Sequence, residues 1–159
     1  IPSSVKSIEN GAFMNCEILK YVNIPSSVTF IGKRAFAGCK LLDDLQIPDL
    51  VSFIGDGCFD ECISLRKISI PSSLTEIKSY TFHSCGKLAE IKINPNIKFI
   101  GEKAFENCLS LKKIRVPYSV TKIEKKAFNM CISLSLAMIP SALNIDNIGI
   151  KKRVRIIRT

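Results

Sequence analysis

One interval governs this chain. Phe13, Phe36, Phe59, Phe82, Phe105 and Phe128 stand 23 residues apart, and so do Cys16, Cys39, Cys62, Cys85, Cys108 and Cys131. Leu19, Leu42, Leu65, Leu88, Leu111 and Leu134 keep the same spacing. Columns of unbroken identity over six repeats restrict the fold to one built by stacking a single unit. Further columns vary only among apolar types: Ile8, Ile31, Ile54, Ile77, Ile100 and Ile123 form one, and Val22, Leu45, Ile68, Ile91, Ile114 and Ala137 another. A third slot admits only small side chains, at Ala12, Ala35, Cys58, Thr81, Ala104 and Ala127. No repeat can bury its own apolar face, whereas stacked neighbours can.

Proline closes each short alternating run, at Pro2, Pro25, Pro48, Pro71, Pro117 and Pro140. It lacks the N–H that the next ladder bond needs, so it suits a strand's end, and the Ser-Ser pairs after it suit a turn. Pro95 is displaced by one, but Ile93, Ile97 and Ile100 keep phase, so nothing is inserted there. Each repeat is expected to supply a short strand such as Tyr21 to Ile24, a turn, and a second extended piece around Val28 to Ile31. A tight helical turn through Ala35-Phe36-x-x-Cys39 completes it. The expected fold class is therefore an α/β-type repeat solenoid, with adjacent strands about 4.8 Å apart.

Composition narrows the function. Of 159 residues, 47% are hydrophobic and 23% charged, too apolar for a disordered tail and too evenly mixed for a membrane protein. No run approaches the ~18 apolar residues of a transmembrane helix. His83 is the only histidine and there is no tryptophan, which disfavours metal sites and histidine-based acid–base chemistry. His83 falls in a column with Met14, Ala37, Asp60, Glu106 and Asn129, and is read as solvated. No phosphate loop, nucleophile elbow or paired carboxylates appear. No catalytic residue, metal ligand or cofactor is assigned. Cys58 and Cys62 are the only close cysteine pair outside the ladder's own spacing, and no second pair completes a zinc site. The ladder cysteines read as buried free thiols acting as small hydrophobes.

The motif I-P-S-S-V-x-x-I-G-x-x-A-F-x-x-C-x-x-L-x-x-I-x resembles the BspA-type leucine-rich repeat, and residues Ile24 to Gln46 (IPSSVTFIGKRAFAGCKLLDDLQ) are a near-consensus copy. The resemblance implies a curved right-handed leucine-rich-repeat solenoid with a parallel concave β-sheet, short convex strands and helical turns. It further implies a cell-surface or secreted protein used in adhesion, with a protein or glycan ligand. A cytoplasmic leucine-rich-repeat scaffold, its thiols kept reduced, is the alternative.

On the concave sheet, residues flanking each inward apolar side chain point to solvent because successive side chains alternate faces. That places Tyr21 and Asn23, Asp44 and Gln46, Lys67 and Ser69, Glu90 and Lys92, then Lys113 and Arg115 in two columns, the candidate ligand-binding residues. Leu136 and Met138 follow. On the other side Phe30, Phe53 and Phe99 share a column with Glu76 and Lys122 and are expected to pack across the turn or to form a contact patch.

Residues 1–143 read as six full repeats and the start of a seventh, with 144–159 a basic C-terminal cap or tail. In register, Asp146 occupies an isoleucine slot and the Ala-Phe-x-x-Cys element does not recur. Ile1 stands in mid-repeat, as expected of a piece of a longer protein. The net charge is +9, and Lys151, Lys152, Arg153, Arg155 and Arg158 supply five of those charges. Polyanion binding through this tail with Lys113 and Arg115 is a further alternative, although nucleic acid is not the expected partner.

Overall fold

The computed structural model describes residues 1–159. The chain is a parallel-strand solenoid in which each coil pairs with the one 23 residues further on, as Ser7 with Phe30, Phe30 with Phe53, and Lys67 with Glu90. One face carries two-residue strands, β1 (Ser7–Ile8), β2 (Phe30–Ile31), β3 (Phe53–Ile54), β5 (Glu76–Ile77), β7 (Phe99–Ile100) and β9 (Lys122–Ile123). The other carries longer ones, β4 (Lys67–Ser69), β6 (Glu90–Lys92), β8 (Lys113–Arg115), β10 (Leu136–Ile139) and β11 (Arg155–Arg158). This long-strand face is the one the sequence assigns to ligand.

Period-2 alternation sends Ile31, Ile54 and Ile100 inward from one face and Ile68, Ile114 and Ala137 from the other. Between them the six phenylalanines form a ladder of near-parallel rings, 5.0 to 5.7 Å between centroids. Stacking follows from the period: a ring one coil on has the same backbone and the same rotamer. From the second coil onward these rings, the neighbouring leucine column and the ladder cysteines are all buried, whereas Phe13 and Leu19 are half-buried.

The expected helical turns are absent. In their place each coil runs a chain of β-turns. Ala12, Met14 and Cys16 donate their N–H to Glu9, Gly11 and Phe13, three residues back, at 2.9 to 3.2 Å. The residues between them, Gly11, Phe13 and Asn15, donate instead to Lys33, Ala35 and Ala37 of the next coil at 2.7 to 2.9 Å. An α-helix needs every N–H for its own i−4 carbonyl; here every second one is spent between coils. The alternation requires left-handed backbone at two positions per coil, as at Arg34 (φ 53°) and Gly38 (φ 73°), or Lys103 (φ 54°) and Asn107 (φ 61°). Such conformations are uncommon for non-glycine residues, and the intercoil bonds hold them in place.

Pairing is also less continuous than the repeat implies. Tyr21–Ile24 and Asp44–Gln46, expected as strands, form no ladder, and the long-strand sheet begins only at β4. The short-strand ladder lapses between β3 and β5, and the long-strand ladder between β6 and β8.

Past Leu143 the chain continues to pair. β11 lies parallel to β10 with Leu136 opposite Arg155 and Met138 opposite Ile157, a coil shortened to 19 residues. Phe128 donates to the Ile148 carbonyl at 2.7 Å, and Ile148 and Val154 are buried. Gly149 (φ 87°) allows the close approach, since a Cβ there would fall 2.6 Å from the Asn129 nitrogen. Arg153 donates to the Ile132 carbonyl, while Arg158 donates to those of Ser141 and Leu143 at 2.6 and 2.8 Å. Two of the tail's cations thus satisfy backbone carbonyls. No helix is long and apolar enough to cross a membrane.

Candidate functional site: the long-strand face

All ten candidate residues are exposed: Tyr21, Asn23, Asp44, Gln46, Lys67, Ser69, Glu90, Lys92, Lys113 and Arg115. The structure divides them, however. Tyr21, Asn23, Asp44 and Gln46 lie on irregular backbone. Lys67, Ser69, Glu90, Lys92, Lys113 and Arg115 stand on strands, in two rows fixed by register. One row reads Lys67–Glu90, then Lys113–Leu136–Arg155; the other reads Ser69–Lys92, then Arg115–Met138–Ile157.

The interval in each row is the lapse between β6 and β8. No backbone hydrogen bond joins Glu90–Lys92 to Lys113–Arg115. Ile91, whose counterparts Ile68 and Ile114 are buried, is only half-buried here. A depression of about 680 Å³ opens over this break, lined by Lys67, Ile91, Lys92, Lys113, Arg115 and Met138 among others. A second, of about 500 Å³, adjoins it along Ile91, Lys92 and Arg115 and reaches Pro95, Pro117 and the exposed Tyr118.

Charge concentrates at the same place. Lys67, Lys92, Lys113 and Arg115 surround the break, yet all seven ion pairs of the protein lie elsewhere. Glu90 is the one carboxylate lining either depression. Arg155 adds a further cation to the first row. Sequence reading placed Arg155 in the basic tail and assigned neither it nor Ile157 to this face, because the shortened coil breaks the 23-residue phase; the β-branched Val154, Ile156 and Ile157 were the available signal.

The other candidate features resolve as structure. His83 is only partly exposed: its Nδ1 sits 2.7 Å from Asp60, Nε2 faces Glu106 at 3.8 Å, and the Tyr80 ring meets it edge-on. Asn129 donates to Glu106, and Lys103 lies 3.3 Å from the same carboxylate, so this column forms a half-buried polar ladder linking four coils. Phe30 and Phe53 stack at 4.7 Å, with the Lys78 ammonium 5.1 Å from the Phe53 ring, whereas Phe99 lies between Glu76 and Lys122.

Each buried ladder cysteine points its thiol at the phenylalanine carbonyl of the preceding coil, Cys85 to Phe59 and Cys108 to Phe82, each at 3.2 Å. Burial pushes Cys39 up to about 11 and Cys131 up to about 12. Burial likewise holds Cys62, Cys85 and Cys108 well above the ordinary thiol range. Cys16, expected inside with the others, is exposed in this chain. No group of three His, Cys, Asp or Glu side chains converges as metal ligands would.

The profile of the BspA type leucine rich repeat region matches this chain in six copies, over residues 1–82 and 52–151. A leucine-rich repeat protein from Eubacterium ventriosum is 32% identical with a TM-score of 0.62, covering 82% of this chain and 41% of its own. The Treponema pallidum leucine rich repeat protein is 29% identical with a TM-score of 0.54, covering 87% of this chain and 56% of its own. A leucine rich cell surface protein from Faecalibacterium prausnitzii is 28% identical with a TM-score of 0.45, covering 90% and 53%. The chain thus spans only 41 to 56% of the length of these three solved relatives. No curated protein sequence matches it.

Proposed function

Because the chain belongs to the BspA-type leucine-rich repeat family, we propose that it is a non-enzymatic recognition module of a cell-surface or secreted protein, binding a protein or glycan ligand through its long-strand face. The observation that carries this reading is the pair of solvent-facing rows from Lys67 to Arg115, in which four cations lack any ion-pair partner. These side chains serve no core. Curvature of the solenoid, as the resemblance implies, makes this face concave and lets several strands reach one ligand. Single substitutions of such exposed side chains usually shift stability by no more than about 0.5 kcal/mol, so they are free to serve a partner.

Backbone amide shift mapping of the isotope-labelled chain tests the proposal, with an acidic peptide, heparin and a neutral oligosaccharide added separately. Shifts that cluster on the two rows for at least one probe are the expected result. They should vanish when Lys67, Lys92 and Lys113 are all changed to Glu. Shifts confined to the short-strand face, or no shifts with any probe, overturn it.

A further inference from the structure

We infer that the break between β6 and β8, together with the apolar patch beside it, takes a segment of a partner protein in which a run of carboxylates adjoins a run of apolar side chains. This rests on the long-strand face being the recognition surface and specifies what it recognises. Two observations point the same way. The first is charge complementarity: Lys67, Lys92, Lys113 and Arg115 surround the half-buried Ile91 with only Glu90 to offset them. A ligand seated there must bring anions.

The second observation distinguishes the kind of anion. On the next two strands the rows turn apolar, with Leu136 and Met138 half-buried and Ile157 exposed, and Arg155 beside them. Large apolar side chains that face solvent together are covered to advantage only by apolar groups. Sulfated glycans and nucleic acid offer charge along their whole length and no matching side chains, whereas a polypeptide can place Glu or Asp over the cations and Leu, Ile or Phe over the patch. The tail takes part directly, since β11 brings Arg155 and Ile157 onto the face. The concave sheet and the basic tail are therefore one surface.

Fluorescence anisotropy with three probes tests this. One is a labelled peptide Glu-Asp-Glu-Glu-Leu-Leu-Phe, the second its counterpart with three serines in place of the apolar residues, and the third labelled heparin. The first peptide should bind about tenfold more tightly than the second, roughly 1.4 kcal/mol. Lys92→Glu with Arg115→Glu should abolish binding of both peptides. Met138→Ser with Ile157→Ser should erase only the tenfold preference, and Ile157→Ser alone should reduce it should the double variant prove unstable by circular dichroism. Equal binding of the two peptides, or no peptide binding, overturns the inference. So does heparin binding that displaces the peptide and is indifferent to the apolar substitutions; if Lys92→Glu with Arg115→Glu abolishes that binding, the recognition face itself stands. Peptide or heparin binding that every one of these variants leaves intact overturns the recognition face as well.

Discussion

At the scale of the residue, the cysteines show how a single column can hold two chemistries. From Cys39 onward each ladder thiol is buried and donates to a carbonyl one coil back. A thiol reacts as its thiolate, so the raised values of Cys39 and Cys131, set first by burial, make these groups inert near neutral pH. Cys16 has the same sequence context and the same phase but is exposed in this chain. Labelling of the reduced native protein with a maleimide should therefore give one fast equivalent, at Cys16, with the other six reacting only after urea is added. Cys16→Ser should remove the fast phase. Two or more fast equivalents in the native state would mean that the ladder is open to solvent and does not pack as a core.

At the scale of the element, the polar ladder from Asp60 to Asn129 joins neighbouring coils by side chains where the strands are too short to do so alone. Glu106 is its centre. Burial acts to raise its pKa, but donation from Asn129 and Lys103 and the nearby charges of Lys103 and His83 outweigh it, and the net direction is downward. A carboxyl depressed in the folded state contributes stability that is present above its unfolded value, about 4.3, and is lost as pH falls through the folded value. Glu106→Gln should accordingly be less stable than wild type at pH 7, and the gap should close as both are acidified toward pH 3. Thermal unfolding across that range measures it, and a gap that stays constant would refute an ionic role for Glu106. Sequence made the inward columns of these elements legible because burial fixes residue type at every 23rd position. It did not reveal the turns. Ala35-Phe36-x-x-Cys39 fits an i, i+3 contact in a helical turn and in a chain of β-turns alike; what separates them is whether Phe36 N–H bonds within its coil or to Cys58 of the next. His83 was misread for a related reason: tolerance of Asp, Glu and Asn marks a polar column, and polar columns can be satisfied by one another as well as by water.

At the scale of the whole molecule, each coil touches only its neighbours, so stability is a sum of coil terms and interface terms. The candidate face inherits its shape from one weak interface. The lapses in pairing, β3 to β5 on one side and β6 to β8 on the other, flank the coil that holds Phe82. Neither lapse is legible in the sequence, because apart from the one-residue displacement of Pro95 the columns stay in phase through them. Across both, each coil keeps one strand ladder, and the ring ladder supplies continuity, Phe82 lying 5.5 Å from Phe59 and from Phe105. Phe82→Ala should cost about 3–5 kcal/mol, the usual loss for a buried ring. Phe99→Ala should cost much less, since Phe99 is half-buried between Glu76 and Lys122. The two should also differ in kind. Removing Phe82 weakens two interfaces at once and leaves an N-terminal and a C-terminal block that unfold separately, so the urea slope, which scales with the surface exposed in one step, should fall. Phe99→Ala should shift the midpoint and keep the slope. Urea titrations of both variants decide the matter: equal losses would show Phe99 to be as integral as the ring ladder, and an unchanged slope in Phe82→Ala would show that the strand and turn bonds alone hold the two blocks together.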